Sequence, residues 1–486
     1  MFREFGPKVA VSCGGRWRLA ALVVALLAGG CGGGAPVRPD PVLEAPSPTP
    51  SRWRAAITPY VAPLIEHDLT PGLVVGVVDR EGTEVLGFGR LSRTDARTPD
   101  GRTPFEIGSL SKVFTAILLA DAIERGELSL DTPAATSLPD ALRPLPGHGE
   151  EITVAHLATH RSSLPRIPDN LPGDDLVDPY AGYSFDDLVA FIEEWRFLAA
   201  PGERYAYSNL GAGWLGEIVA RRAGASYADL LRTRLTGPLA LGSTAVDLPP
   251  DLEGRLAPPH REGVAVSPWH LGVLAGAGGI RSCGDDLVRF LALHLEEEIA
   301  TEVEPATLRD GLRAAFEVQV PGMGLGWHLA GDGVTRWHTG QTGGFSSAMF
   351  VNRVTGTGVI VLANGASSAV DAAAEKIFQR VCGLEPKPPV IRPSIARTAE
   401  QLDRLVGTYD SDLGFAIEVT RNGEALFARL TNQVAIRVHP SSPTRFFYRD
   451  IAAELEFTVE GEGMAPASAV TLLQNGREML CVRRGE

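Results

Sequence analysis

Three short segments of the 486-residue chain carry side chains able to act on one another. Ser109-Leu110-Ser111-Lys112 follows Phe105-Glu106-Ile107-Gly108 and opens a stretch that reads as a helix. At a helix start, residues i and i+3 share a face, so the Lys112 amine can reach the Ser109 hydroxyl. The serine also sits at the positive end of the helix, which favours a developing anion. A serine nucleophile needs such a neighbour, either a base or a cation that activates one. The same residues also fit an N-capping serine followed by a solvated lysine. Tyr207-Ser208-Asn209 lies between the turn Pro201-Gly202-Glu203-Arg204 and a helix from Leu210. A loop tyrosine aimed at a lysine and a serine would have a lowered pKa and act as general base; alone, the segment also fits a half-buried tyrosine beside an N-cap. His338-Thr339-Gly340-Gln341 precedes Thr342-Gly343-Gly344-Phe345 and a hairpin. Gly340 would let a substrate lie against a strand edge, and the Gln341 N–H can donate to an oxyanion; the alternative is a glycine-rich turn. Lysine is scarce. Lys8, Lys112, Lys376 and Lys387 are four of the 45 Lys and Arg residues, which leaves 41 arginines. A lysine at 112 therefore invites a reason, because Lys can be deprotonated and Arg effectively cannot.

Taken in order, the three segments resemble the motifs of the penicillin-recognising serine hydrolases. That family includes class C β-lactamases, serine D-Ala-D-Ala carboxypeptidases, D-amino-acid peptidases and related esterases. The S-x-x-K motif falls at Ser109 and Lys112, Y-x-N at Tyr207 and Asn209, and the third motif, commonly K-T-G, reads His338-Thr339-Gly340. Flanking segments resemble the family too: FEIGSLSKVFT from Phe105, LATHRSSL from Leu157, FLAAPGERYAYSNL from Phe197 and AGGIRSCGDDL from Ala277. The resemblance covers about residues 55 to 383. It implies an acyl-enzyme mechanism without a cofactor: Ser109 attacks, Tyr207 beside Lys112 moves the proton, and the N–H groups of Ser109 and Gln341 hold the oxyanion. It also implies that Asn209 binds the substrate's side-chain amide and that Thr339 and Gly340 line the substrate edge. The departure is His338. A lysine there would carry a full charge toward a substrate carboxylate, whereas histidine is mostly neutral at pH 7. Some peptidases and esterases of the family carry H-x-G, so the departure bears on efficient β-lactam hydrolysis rather than on acyl transfer. Activity on anionic substrates is expected to rise as pH falls through about 6.5, the ordinary histidine value, with Arg336 the next candidate for the carboxylate.

Competing chemistry is poor. His156 and His160 stand four apart, a spacing that suits a metal on a helix, but no H-E-x-x-H order surrounds them. There is no G-x-S-x-G elbow, no P-loop and no CxxC. No resident metal is expected.

The elements that must position these residues can be read in outline. GLVVGVVD (Gly72 to Asp79) and Glu84 to Gly89 read as a hairpin, as do Ala348 to Asn352 and Val359 to Ala363. Helical patterns run over Lys112 to Arg125, Leu210 to Ala223 and Asp285 to Leu295. Hairpins at both ends with helices between predict an α+β domain, residues 52–384, with one central antiparallel sheet flanked by helices; the resemblance adds an all-α subdomain. A Pro-rich link, 385–397, follows. Residues 398–486 hold seven short alternating runs from Phe415 onward and predict a small all-β barrel or sandwich; by resemblance it is lipocalin-like.

The N-terminus reads as an address. Arg3, Lys8, Arg16 and Arg18 precede the apolar run LAALVVALL, Ala28-Gly29-Gly30 and Cys31. This resembles a bacterial lipoprotein signal over residues 1–31, with Cys31 the lipid-attachment site; the alternative is a plain secretory signal. Residues 32–51 are Gly-, Pro- and Ser-rich and read as a tether. The expected location is an exported lipoprotein facing the periplasm, with the outer membrane slightly favoured. The formal charge is −14 without a basic run, which argues against a nucleic-acid partner. Cys283, Cys382 and Cys481 remain in the mature chain, and sequence does not choose a pair among them.

The functional reading is covalent serine hydrolysis of β-lactam-like or D-amino-acid peptide substrates, small molecules or fragments of peptidoglycan. The alternatives are an esterase on short acyl esters, or a catalytically weak envelope protein that binds muropeptides or a partner. Sequence leaves the oligomeric state open.

Overall fold

The computed structural model describes residues 51–485 except 143–144, 146, 173–176, 198, 296–302, 432, 434, 450 and 460–464. The leader, Cys31 and the tether as far as residue 50 therefore lie outside the described residues. No helix among the described residues is long and apolar enough to cross a membrane.

The central sheet has six strands: β1 (Gly72–Asp79), β2 (Gly82–Gly89), β3 (His328–Leu329), β4 (Arg336–Gln341), β5 (Ser346–Asn352) and β6 (Thr357–Ala363). Their order is β2-β1-β6-β5-β4-β3, with antiparallel pairing throughout. The N-terminal hairpin thus pairs with the C-terminal one, Val75 standing opposite Val361. Because β1 is apolar on both faces, both must be covered. Leu73, Val75 and Val77 pack with helices α1 (Arg54–Glu66) and α6 (Ser368–Val381), while Val74 and Val78 belong to the core on the opposite face. That second core holds α2 (Ser111–Glu124), α3 (Asn209–Ala223), α4 (Gly284–Leu295) and α5 (Ala306–Phe316). Every residue of α2 from Ser111 to Ala122 is buried, so this helix is the hub of the helical layer. Gly76 has no room for a side chain: a Cβ would lie 2.4 Å from Val288 of α4.

The C-terminal unit is a closed antiparallel barrel of eight strands: β7 (Gly407–Ser411), β8 (Ala416–Asn422), β9 (Ala425–Leu430), β10 (Ile436–Pro440), β11 (Arg445–Phe447), β12 (Ala453–Thr458), β13 (Ala469–Gln474) and β14 (Arg477–Arg483). Seven correspond to the runs read from the sequence. The eighth, β7, has one inward apolar residue, the fully buried Tyr409, and closes the barrel between β8 and β14. The link before the barrel is fastened at both ends. Tyr60 donates to the Pro386 carbonyl at 2.8 Å and the Ile395 N–H to Pro440 at 2.9 Å. Cys283, Cys382 and Cys481 are all free thiols.

Candidate active site

Ser109 sits in a single 3-10 turn, Gly108–Leu110, that leads into α2. Lys112 lies one turn on and is 3% exposed. Its Nζ donates to Ser109 Oγ at 2.9 Å, to Asn209 Oδ1 at 2.9 Å and to the Ala277 carbonyl at 2.6 Å. The partners are a hydroxyl, an amide and a carbonyl, without a carboxylate among them. Burial, helped by the Arg166 charge, pushes the Lys112 amine well below its ordinary value. The shift favours the neutral amine, the form that can take a proton from the serine.

Tyr207 arrives on the loop before α3 and Asn209 is the first residue of that helix, whose N-cap is Ser208; Ser208 Oγ accepts from the Gly211 N–H at 2.8 Å. The Ser208 N–H donates to His160 Nδ1 at 3.2 Å, and the His160 ring lies 4.3 Å from that of Tyr207. His160 therefore braces the tyrosine loop. His156 instead completes the capping box of its own short helix with Thr153, so the two histidines do not converge. Lys112 Nζ stands 4.9 Å and Arg166 Cζ 5.0 Å from the Tyr207 ring centroid. The expected lowering of the Tyr207 pKa is overturned: burial pushes it up to about 12, with its hydrogen bond to Ser109 and the Arg166 charge acting only partly against this.

The third motif lies on β4. Gly340 pairs with Ser347, whose Oγ donates to the Ile107 carbonyl at 2.7 Å and so ties β5 to the serine turn. Gly340 is required by close approach: a Cβ would fall 2.1 Å from Ile107 O and 3.0 Å from Ser109 N. Gly108 is required twice, by φ +49 and because a Cβ would lie 2.7 Å from Gln341 N. Two unbranched positions thus bring the Ser109 and Gln341 amides together, an arrangement suited to an oxyanion. Gly108 is a site residue that motif reading passed over, although it stands immediately before the serine.

His338 is 2% exposed; its Nδ1–H donates to the Thr339 carbonyl at 2.6 Å, and its Nε2 is buried without a hydrogen-bond partner. Burial, then the neighbouring His328 and Lys112, pushes its pKa well below the ordinary value. The expectation that it gains charge near pH 6.5 is therefore withdrawn. Arg336 is withdrawn as well: it is buried at the start of the strand, donates to Phe316 O and Val334 O, and does not line the cavity that holds Ser109.

Ser109, Tyr207, Asn209, His338, Thr339, Gly340 and Gln341 all line one cavity of about 710 Å³, with Lys112 directly behind Ser109. Sequence reasoning did not foresee several other polar residues of the cavity wall, among them Arg166, Arg261, His328 and Asp371. A larger hollow, about 880 Å³, lies between the link, α6 and the barrel, but holds none of these reactive groups. Chemistry rather than size singles out the first.

A family model described as Beta-lactamase matches residues 57–381. The chain is 28% identical over 453 residues to "Penicillin-binding protein 4*" of Bacillus subtilis (strain 168), covering 84% of this chain and 94% of that protein. It is 28% identical over 269 residues to "D-alanyl-D-alanine-carboxypeptidase/endopeptidase AmpH" of Escherichia coli (strain K12), covering 53% and 68%. The crystal structure of a class C beta lactamase from Rhodobacter sphaeroides aligns with a TM-score of 0.57 at 29% identity, over 67% of this chain and 98% of that one.

Proposed function

The chain belongs to the beta-lactamase family and is a serine hydrolase, and from that premise we propose that it acts through a covalent Ser109 acyl-enzyme on D-amino-acid peptides or β-lactam-like amides. The observation that carries the reading is the 2.9 Å contact between Ser109 Oγ and a fully buried, carboxylate-free Lys112 amine. In the proposed sequence Ser109 Oγ adds to the carbonyl carbon and its proton passes to Lys112. The carbonyl electrons move onto the oxygen, which the Ser109 and Gln341 amides hold. Tyr207 relays the proton to the leaving nitrogen as the C–N bond breaks. Water then enters by the same route and releases the acid. Asn209 spends its Oδ1 on Lys112 and one NH₂ hydrogen on Tyr180, which leaves the other N–H to donate to the substrate's acyl side chain.

A neutral, buried His338 favours a second substrate class, uncharged short acyl esters, handled by the same residues. For location we propose a lipid anchor at Cys31 and a place in the bacterial envelope, supported by the basic, apolar and small-residue sequence before that cysteine.

The test is covalent labelling with a fluorescent penicillin and with a p-nitrophenyl ester, followed by intact mass. Wild type should gain one acyl group on Ser109 and Ser109→Ala none. If a folded Ser109→Ala protein turned over or trapped either reagent as wild type does, the mechanism would be wrong.

A further inference from the structure

The barrel touches the hydrolase domain at an unusual place. Residues His260–Arg261 and Val264–Ala265 form a tiny hairpin whose two-residue turn is Glu262 and Gly263, both at positive φ, +52 and +73. Such turns ordinarily draw on Asn, Asp or Gly. A glutamate there is a conformational outlier that needs support from outside the hairpin. The barrel supplies it. His439 Nε2–H donates to the Glu262 carboxylate at 2.7 Å, Arg437 donates to the Glu262 carbonyl at 2.5 Å, and Arg449 stands 3.9 Å from the same carboxylate. Arg449 also donates to the His67 carbonyl at 2.7 Å. Glu262 and His439 are 8% and 3% exposed. Burial opposes ionisation of Glu262, but the His439 hydrogen bond and the nearby cations outweigh it and hold the carboxyl below its usual range.

On its other side the hairpin belongs to the active site. The His260 N–H donates to the Gly344 carbonyl at 3.1 Å, in the loop that leaves the third motif. Arg261 pairs with Ala366, and both residues line the Ser109 cavity. Arg261 is exposed there and makes no ion pair among the described residues. The other guanidinium in the cavity wall, Arg166, is stacked on Tyr207, and the wall's carboxylate is Asp371. Since His338 is neutral and Arg336 is turned away, Arg261 is the cation available on the third-motif side.

We propose that Arg261 binds the carboxylate of anionic substrates in the Ser109 cavity, and that the C-terminal barrel positions it by clamping Glu262. Guanidinium and carboxylate match as a two-pronged hydrogen-bonded pair. The barrel thereby becomes a specificity element of the hydrolase, acting through a turn that does not touch substrate. The proposal rests on the acyl-enzyme reading above.

The experiment is steady-state kinetics of the full chain on nitrocefin, which is anionic, and on p-nitrophenyl acetate, which is neutral. Arg261→Ala should raise KM for nitrocefin at least tenfold with kcat little changed, so that the nitrocefin-to-ester ratio of kcat/KM falls tenfold or more; Arg261→Lys should recover part of that ratio. Arg437→Ala and His439→Leu, two independent ways to loosen the clamp, should lower the same ratio at least threefold. In Arg261→Ala they should add nothing further. An equal loss on both substrates, or no change in the ratio for Arg261→Ala, would refute the assignment. A normal ratio in both folded barrel variants would refute the clamp. If wild type shows no Ser109-dependent turnover of either substrate, the acyl-enzyme reading itself has failed and the proposal falls with it.

Discussion

Which group takes the Ser109 proton is decided by the environment of two side chains, and a pH profile can read the answer. With its pKa pushed up to about 12, Tyr207 is five units from ionising at pH 7. That leaves roughly one phenolate in 10⁵, a cost of about 7 kcal/mol at 1.36 kcal/mol per unit. Lys112 is displaced in the opposite sense, so its neutral amine forms as pH rises through a value well under the ordinary lysine range. The acylation rate should therefore climb along an acid limb that belongs to the Lys112 site, with Tyr207 relaying as a neutral phenol. The assay is kcat/KM for a neutral ester, whose own charge does not change between pH 5 and 9, in wild type, Tyr207→Phe and Lys112→Met. Tyr207→Phe should lose on the order of 10²-fold, the lower end for one acid–base participant, and keep the acid limb in place. Lys112→Met should lose more, on the order of 10³-fold or beyond, and its profile should go flat. Because the groups are coupled, the limb reports the site as a whole. The opposite pattern, a limb abolished in Tyr207→Phe and retained in Lys112→Met, would make the tyrosine anion the base and refute the reasoning.

Other consequences can be measured with the same proteins. Gly108→Ala forces a side chain into positive φ and against Gln341 N; kcat should fall about 10²-fold, as for loss of one oxyanion donor, and Tm should drop as well, so a Gly108→Ala enzyme with normal kcat would show that the two amides are not used together. His338→Lys places a second amine near Lys112, and a like charge lowers a lysine pKa; the acid limb should move to lower pH, and an unmoved limb would place the new amine out of reach. Cys31→Ser should release the mature protein from detergent-phase partitioning or block its processing, since acyl chains are the proposed source of membrane affinity; a wild-type protein recovered unlipidated would refute the anchor.

Spacing proved more legible than environment. The i, i+3 placement of Ser109 and Lys112 and the paired hairpins follow from helix and strand periods alone, and α2, α3 and α4 each begin within a residue of where their apolar pattern starts. The charge states were not legible. His338 reads as a switch near neutrality when its solvation is unknown; in place, it is buried beside His328 and Lys112 and kept neutral. Arg336 sits two residues before His338 in the sequence, but Phe316 and Val334 draw its guanidinium away from the cavity. Arg261 lies 77 positions before His338 and carries no motif; only the pairing of its two-residue strand with Gly365–Ala366 brings it to the cavity. Strand β7 escaped notice because a single buried tyrosine between polar neighbours gives no alternation to read.

The scarcity of lysine in an arginine-rich chain gains a physical meaning from the partners of Lys112. Its three acceptors carry no formal charge, and His160, His328 and His338 nearby are all pushed toward neutrality by burial. This pocket tolerates an amine that can shed its proton. Lys112→Arg would fix a permanent cation there without a counterion, at an effective cost of several kcal/mol, in a space fitted to a slimmer side chain. Lys112→Met removes the amine and its three hydrogen bonds, but water from the cavity can reach Ser109 and Asn209, which leaves the Ala277 carbonyl as the one acceptor stranded, at about 1–3 kcal/mol. Thermal unfolding should therefore rank wild type above Lys112→Met and Lys112→Met above Lys112→Arg, with both variants unable to acylate at the wild-type rate. An arginine variant as stable and as active as wild type would mean that position 112 needs only a positive charge, and the proton-accepting role of the lysine would have to be abandoned.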